Sequence, residues 1–281
     1  MSEISLLTRV RPEPRSSLYW LFSDSWIMAK RSTMHIIRSM DQVLSLIIFP
    51  IMFMLLNRYV LGGAINTGDV SYANFLFAGI LIQSLAFGAN YTTINLAVDM
   101  KEGIVDRFRS LPMSGSALII GHIAADLVRN VITGIIIILA GFAVGFRPNA
   151  GVVEWLYVIG LSLLFTLAIS WLSAILGLLV KSLEAAQWAG FVLIFPLTFI
   201  ANTFVPSDNL PTVLRAFAEW NPVSAVTQAA RELFGNTNPL QPVPEAWPLQ
   251  NPVLYTLLWV VVTLAVFVPL SVAQYRRAAA R

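Results

Sequence analysis

Apolar segments of about 20 residues recur along this chain, and each is long enough to cross the hydrocarbon core of a bilayer as a helix. Only 12% of the 281 residues are charged and 57% are hydrophobic, whereas ordinary soluble domains carry about 25% charged residues. A helix satisfies its backbone hydrogen bonds internally, as a lipid environment requires. The sequence therefore predicts an all-α integral membrane fold with six transmembrane helices, at residues 43–61, 73–97, 117–146, 153–180, 185–204 and 252–274.

The segment before the first span has the pattern of a helix that lies along the membrane surface. Residues 1–16 are polar, and residues 17–41 repeat apolar side chains at helical spacing. A basic amphipathic helix binds in the membrane interface, although a core helix of a soluble domain gives the same pattern. We therefore divide the chain into residues 1–41, with this interfacial helix, and a six-span domain at 42–281. The predicted apolar face consists of Leu18, Phe22, Trp26, Ala29, Ile36, Ile37 and Met40, with Asp24, Lys30, Arg31, His35 and Arg38 elsewhere.

Lysine and arginine are unevenly distributed between the two sides of the predicted bundle. Cytoplasmic loops of membrane proteins are enriched in these residues. With the N-terminus inside, 13 of the 18 lysines and arginines fall in inner segments. Three fall in outer segments, namely Arg147, Arg215 and Arg231. Both termini and the 98–116 loop are therefore predicted to be cytoplasmic.

The loop between the second and third spans carries six charges in the fourteen residues from Asp99 to Pro112. A helix over residues 101–111 would gather its apolar residues on one side and its charges on the other. A plain connection needs only a few residues, so the pattern favours a docking element on the membrane surface over a merely solvated loop. The apolar side would hold Ile104, Val105, Phe108 and Leu111, and the charged side Glu102, Asp106, Arg107 and Arg109.

Residues 207–235, between the fifth and sixth spans, are predicted to form two short helices on the outer side. A polar side chain at 207–209 can cap the first helix, with Pro211 in its first turn. Trp220-Asn221-Pro222 would end that helix and begin a second one that stops near Gly235. We expect both helices to re-enter the membrane edge, and a solvent loop is the alternative.

Several kinds of chemistry have no residues to support them in this sequence. There is no cysteine, which excludes disulfides and thiolate ligands. The two histidines, His35 and His122, belong to no cluster with metal-ligand spacing, so no metal site is predicted. The lysines at 30, 101 and 181 do not follow glycine, which rules out a Gly-x-x-x-x-Gly-Lys phosphate loop. The net charge of +3 gives no indication of nucleic-acid binding.

Three charged residues lie within predicted spans, where ionisable groups are costly. Asp126 and Arg129 are three residues apart on one helix and can face one another. A structural pair is favoured over a proton relay, because no chain of buried acids accompanies them. Arg58 lies near the outer headgroups and can extend toward them.

Small residues line two of the predicted spans and suggest close helix contacts. Gly141 and Gly145 are four apart in the third span. Packing within the subunit is favoured over a dimer interface for both sets. The set in the fourth span is Ser170, Ser173, Ala174 and Gly177.

The charged loop and its surroundings resemble the permease subunits of type-2 ABC exporters, most closely the daunorubicin-resistance branch. The resemblance is carried by Glu102-Gly103, by the string Asp106 to Ser114, by Gly121 with Asp126-Leu127, and by Trp220-Asn221-Pro222 with Ala230-Arg231. It covers nearly the whole chain, including the helix before the first span.

This resemblance implies that the loop is a coupling helix seated in a groove of a separate ATP-binding subunit. It further implies two ATP-binding subunits and a second permease subunit, alike or related, in each working unit. ATP and Mg would then bind to the partner, with no cofactor held by this chain. The residues matching the coupling helix are Glu102, Gly103, Asp106, Arg107, Phe108, Arg109 and Pro112, and an external gate would include Leu210, Pro211, Trp220, Asn221 and Pro222.

The expected function is outward transport of an amphipathic drug or a lipid-like molecule across a bacterial cytoplasmic membrane. The path would lie between two permease subunits, lined by the first, second and fifth spans, with Gln83, Asn90 and Asn95 as possible lining residues. Export of a polysaccharide or lipid-linked glycan by the same fold remains open. An ion-coupled secondary transporter is a rival of another class, but it needs midplane ionisable residues and internal repeats. An enzyme is not expected.

Overall fold

The computed structural model describes residues 17–38, 40–61, 72–103, 117–180, 182–203, 210–237 and 245–279, and within these ranges the chain is helical with no β-strand. A π-helical turn, Asn57–Leu61, follows the second helix. The helices are α1 (Ser17–Arg38), α2 (Met40–Leu56), α3 (Tyr72–Gly88), α4 (Asn90–Lys101), α5 (Ala117–Val144), α6 (Val152–Leu179), α7 (Leu183–Phe199), α8 (Thr212–Glu219), α9 (Pro222–Leu233), α10 (Trp247–Gln250) and α11 (Pro252–Ala279).

Four helical segments are long and apolar enough to cross a membrane, and they confirm a multi-pass membrane protein. They are Ala73–Lys101, Ala117–Val144, Val152–Leu179 and Pro252–Arg277, at the predicted second, third, fourth and sixth spans. The predicted first and fifth spans correspond to shorter apolar helices, Ile47–Val60 and Leu183–Phe199. A 17-residue helix is about 25 Å long, less than the roughly 30 Å of a hydrocarbon core. The first and fifth spans therefore stay predictions.

Three apolar clusters follow one another through the bundle. One joins α1, the end of α4, the start of α5 and the ends of α6 and α11; we call this the inner end, and it includes Met28, Leu96, Leu118, Leu178 and Tyr275. The middle cluster includes Ile82, Phe165, Ile194 and Val226. The third cluster, at the outer end, includes Met54, Phe77, Phe146, Val158 and Phe234. The chain therefore brings α1, the two stems of the 104–116 loop and the C-terminal end of α11 to one end of the bundle.

Helix α1 packs closely against α5. Met28 and Ala29 are buried, and a Cβ atom at Gly121 would overlap the Met28 side chain. Trp26, by contrast, is 68% exposed. Asp24 was predicted on the polar side of this helix, yet it is buried, because it lies with Met28 and Ala29 on the face of α1 that packs against the bundle. The position of α1 on a membrane surface stays a prediction.

The second predicted span consists of two helices that meet at Ala89. The Ala89 N–H is shared between the carbonyls of Leu85 and Ala86, each 3.2 Å away, so the regular hydrogen-bond ladder is disturbed there. Next to this joint, a Cβ at Gly88 would overlap the Asn130 side chain of α5. The joint thus lies beside a close contact between α3 and α5.

The small residues of the third and fourth spans pack within the subunit, as predicted, with the exception of Gly145, which is exposed and contacts no neighbouring element among the described residues. Gly141 of α5 lies against the ring of Phe77. On α6, the Ser173 carbonyl accepts a hydrogen bond of 2.9 Å from the Thr93 hydroxyl of α4. Gly177 faces the Thr93 carbonyl oxygen, which a Cβ at that position would approach to 2.7 Å. Gly145 has φ +100° and lies just after the end of α5.

The short helices α8 and α9 occur where the sequence predicted them, although the cap of α8 differs. Residues 207–209 lie outside the described residues, and Pro211 is the N-cap of α8 without a side-chain hydrogen bond. Helix α9 has the predicted start, because the Asn221 side chain accepts a hydrogen bond from the Val223 N–H at 2.9 Å. It ends at Leu233, and Gly235 follows with φ +65°.

Candidate functional sites

The inner end holds a buried polar cluster between three helices. The Asp99 carboxylate of α4 lies 2.7 Å from Nε2 of His122 on α5, and its other oxygen is 3.8 Å from the Arg31 guanidinium of α1. Asp99 is 5% exposed and His122 is 7% exposed. A carboxylate at this depth needs partners, and here they come from the two neighbouring helices.

The predicted coupling helix begins directly after this cluster. Glu102 is exposed, and Gly103 follows it with φ +66°, a left-handed conformation that glycine adopts readily. The remaining residues predicted for the coupling helix, Asp106, Arg107, Phe108, Arg109 and Pro112, lie outside the described residues. Their role therefore stays a prediction.

A groove of about 660 Å³ opens on one side of the bundle, between α2 and the joint of α3 with α4. Its walls are mostly apolar, and none of the described residues that line it is charged. This volume is in the range of sites for drug-sized ligands. The lining residues are Leu44, Ile48, Phe49, Pro50, Met52, Ser84, Phe87, Gly88, Asn90, Tyr91, Ile94, Thr133 and Gln187.

The structure separates the three residues predicted to line a transport path. Asn90 lines the groove, and its Oδ1 has no hydrogen-bond partner among the described residues. Gln83 is 3% exposed and lies in the interior. Asn95 is half-buried on α4, away from the groove lining. Their role in transport stays a prediction, and of the three only Asn90 reaches this groove.

Behind one wall of the groove lies the predicted intramembrane ion pair, which the structure confirms. Arg129 donates to Asp126 at 2.8 Å, and both side chains are almost completely buried, at 1% and 2% exposed. The Thr92 hydroxyl of α4 donates to the second Asp126 oxygen. The Arg129 guanidinium lies 4.0 Å from the ring centre of Tyr91, in cation–π geometry. The pair therefore joins α4 to α5.

At the outer end, Arg231 of α9 connects three segments through backbone carbonyls. Its guanidinium donates to Phe75 at the start of α3, at 3.1 Å, and to Asn202 and Thr203 after α7, both at 2.9 Å. It also lies 3.6 Å from the ring centre of Phe75. Arg231 is 3% exposed, so these contacts hold a buried cation in place.

The residues predicted for an external gate are joined to the same region. The Asn221 amide donates to the Leu197 carbonyl at 2.7 Å. The Tyr255 hydroxyl of α11 donates to the Trp220 carbonyl at 2.6 Å. Pro222 occupies the first turn of α9 and is buried. Trp220 is 59% exposed, and Pro211 is also exposed. Leu210, at the edge of the described segment, is partly buried.

Helix α8 presents an apolar face away from the rest of the described residues. Val213 is 82% exposed, and Leu214 and Phe217 are 40% and 45% exposed. On another side of the helix, Arg215 pairs with Glu219 at 2.7 Å. This exposed face supports the prediction that α8 contacts the membrane.

Four residues of these contacts were not predicted to take part in them. Asp99 falls in the charged stretch that predicts the coupling loop, and His122 lacks the neighbours of a metal ligand. Tyr91 and Thr92 carry no signal beyond their polarity. The signal that the sequence does offer is that Asp99 and His122 lie a few residues before and after the same segment, residues 104–116.

These features define a helical multi-pass membrane protein with an apolar groove and polar links at both ends. The sequence matches the ABC-2 type transporter family over residues 24–234. The chain belongs to this family, whose members are the permease subunits of ABC transporters. Membership implies an ABC ATP-binding partner, and a permease of this kind is not itself the catalytic subunit.

The chain is similar to several proteins that are named as drug-resistance or multidrug permeases. The daunorubicin resistance ABC transporter permease protein DrrB1 of Streptomyces coeruleorubidus is 29% identical over 196 residues, covering 70% of this chain and 69% of that protein. The probable doxorubicin resistance ABC transporter permease protein DrrC of Mycobacterium tuberculosis is 22% identical, over 98% of this chain and 96% of its own length. The probable multidrug ABC transporter permease YbhR of Escherichia coli is 24% identical over 64% of this chain. The predicted resemblance is thus confirmed.

Proposed function

We propose that this chain is the membrane subunit of an ATP-driven exporter that moves amphipathic drug-like or lipid-like molecules outward across a bacterial cytoplasmic membrane. The observation that carries the proposal is the groove beside the second predicted span, in a chain whose relatives bear the names of drug-resistance permeases. A groove of this size with apolar walls suits a ligand that is mainly hydrophobic.

Two polar side chains of the groove lining have unused hydrogen-bonding capacity. Asn90 Oδ1 and Thr133 Oγ1 are buried and have no partner among the described residues. Buried polar atoms are nearly always hydrogen-bonded, so we expect these side chains to turn toward a ligand that carries a hydroxyl or amide group. We propose that a second permease subunit covers the open side, which completes a path lined by the first, second and fifth spans.

The energy source in this proposal is a separate subunit. Without a phosphate-loop lysine the chain cannot bind ATP by that route. Two ATP-binding subunits, which hold ATP and Mg, would dock on the 98–116 loop. The residues proposed for this contact are Glu102, Gly103, Asp106, Arg107, Phe108, Arg109 and Pro112.

The proposed topology has six spans, with both termini and the 98–116 loop in the cytoplasm. It is supported by the positions of α1, the ends of α4 and α11 and the start of α5, which share the inner end of the bundle. Helices α8 and α9 would then lie outside as re-entrant helices of an external gate. The exposed apolar face of α8 supports their contact with lipid.

The test is co-purification with candidate ATP-binding subunits, followed by transport in inside-out vesicles. We expect the wild-type complex to accumulate doxorubicin or a fluorescently labelled phospholipid when ATP is added. Asp106→Ala and Arg107→Ala should release the ATP-binding subunit and abolish ATP-dependent uptake. Arg277→Ala, which removes an exposed charge at the end of α11, is the matched control and should retain both.

Two results would contradict these assignments separately. If both loop variants keep the ATP-binding subunit and full transport, the loop is not the coupling helix. If the assembled wild-type complex hydrolyses ATP but moves neither probe, the proposed substrate class is wrong.

A further inference from the structure

We propose that Asp99 is a positioning residue for coupling: through His122 and Arg31 it makes α1, α4 and α5 move as one unit when the 104–116 loop is displaced. The proposal rests on the proposed function, because it concerns how ATP-driven movement would pass from that loop into the bundle.

A polar side-chain contact joins the two stems of the loop. Asp99 lies in the last turn of α4, which ends at Lys101, and His122 lies in the second turn of α5, which begins at Ala117. The distance of 2.7 Å between Asp99 Oδ2 and His122 Nε2 closes the base of the loop. A force applied to either stem is therefore transmitted to the other.

The same carboxylate connects the loop to α1. Its second oxygen lies 3.8 Å from Arg31 Nη2. Three residues earlier on α1, Met28 fills the space above Gly121, where a Cβ would overlap it. Helix α1 is thus held to the stems by a polar contact and, one turn away, by close packing.

The polar cluster of Asp99, His122 and Arg31 is suited to transmitting movement between the helices as well as to holding them together. The apolar cluster at the inner end, which includes Met28, Leu96, Leu118 and Tyr275, already packs these helices together. Apolar packing is non-directional and allows helices to slide, whereas a hydrogen-bonded charge fixes relative position. Asp99 and His122 are both buried, at 5% and 7% exposed, so water does not replace the contact easily.

The experiment compares coupling in reconstituted complexes of the permease with its ATP-binding subunit. The measured quantity is the amount of doxorubicin transported per ATP hydrolysed. For Asp99→Asn, which removes the charge, and for His122→Phe, which keeps a ring but has no nitrogen donor, we expect this ratio to fall about ten-fold, within the range of coupling between sites in proteins. Co-purification of the ATP-binding subunit and the KM for ATP should stay as in the wild type. Glu154→Gln, at the opposite end of the bundle, is the matched control and should leave the ratio unchanged.

Reversal of the pair separates positioning from general stability. The double variant Asp99→His with His122→Asp restores an acid–imidazole contact with the partners exchanged, and we expect it to recover most of the lost ratio. If Asp99→Asn fails to assemble, His122→Phe and the exchanged pair provide the same comparison.

The outcomes distinguish this inference from the proposed function. Wild-type coupling in the single variants, or an exchanged pair that assembles but recovers nothing, would overturn the role of Asp99 and leave the exporter proposal intact. A wild-type complex that transports nothing would instead overturn the exporter proposal.

Discussion

The buried pair of Asp126 and Arg129 gives the sharpest prediction for stability. Both side chains are at most 2% exposed, and their contact distance is 2.8 Å. Asp126→Ala leaves the guanidinium buried without an anion, which we expect to cost about 3–5 kcal/mol of unfolding free energy. Arg129→Met leaves the carboxylate with the Thr92 hydroxyl as its remaining partner, at a similar cost of about 3–5 kcal/mol.

The double variant should be much less destabilised than the two single variants together. It buries no charge, and its main costs are a small cavity and the orphaned Thr92 hydroxyl, roughly 1–3 kcal/mol. The double-mutant cycle should therefore show a coupling of at least about 3 kcal/mol between positions 126 and 129. Val131 of α5 is exposed, so Val131→Ala should change the unfolding free energy by no more than about 0.5 kcal/mol. This variant is the control.

The assay is equilibrium unfolding of the purified permease in mixed micelles, as the fraction of a denaturing detergent is raised. ATP-dependent transport by the reconstituted complex is measured in parallel. If the pair is structural, the double variant should retain most of the wild-type transport. Additive destabilisation would refute the energetic reasoning, and a stable double variant without transport would indicate that Asp126 carries protons.

Two further predictions concern contacts of α7, and both are checked by thermal unfolding in detergent. Gly190→Ala would place a Cβ on the Asn90 Oδ1 and should cost about 1–3 kcal/mol of unfolding free energy. The second substitution Asn90→Ala should remove most of this cost. A double variant as unstable as Gly190→Ala alone would contradict the contact. Asn221→Ala loses both the cap of Val223 and the bond to the Leu197 carbonyl, which should cost about 1–3 kcal/mol of unfolding free energy. Asn221→Ser keeps a capping oxygen without the amide donor and should be intermediate, so a Ser variant as unstable as the Ala variant would contradict the role of the cap.

Local chemistry was sufficient to predict the helices and some of their ends. The apolar length of each span follows from the bilayer thickness, and four of the six segments meet that criterion. The start of α9 was predictable because Asn221 caps and Pro222 fits a first helical turn without its N–H. Its end near Gly235 followed from glycine at a left-handed position. Each of these signals lies within a few residues of the feature it predicts.

The joint at Ala89 could not be predicted in this way. The surrounding residues are compatible with an uninterrupted helix, and the second span was accordingly expected as one helix. The site of the joint coincides with the close contact between Gly88 and Asn130. These two residues are 42 positions apart in the sequence, and no periodicity within one segment reports such a contact.

Among the polar contacts, too, only those between residues close in sequence could be predicted. Asp126 and Arg129 were paired correctly because a three-residue spacing on one helix brings them together. The contact of Asp99 with His122 spans 23 residues, and that of Arg231 with the Phe75 carbonyl spans 156. Both depend on which helices become neighbours. Spacing alone therefore identified the charges but not the partners of the charges at the two ends.

The distribution of polar links has a mechanical consequence for the second span. Its inner half, α4, is tied to α5 and α6 through Thr92, Thr93 and Asp99. Its outer half, α3, is tied to α9 through the Phe75 carbonyl. The two halves of the span therefore have different polar partners. They meet at Ala89, whose N–H is shared between two carbonyl acceptors. We therefore expect a displacement of the inner end relative to the outer end to be taken up near Ala89, whose neighbours Gly88 and Asn90 line the groove.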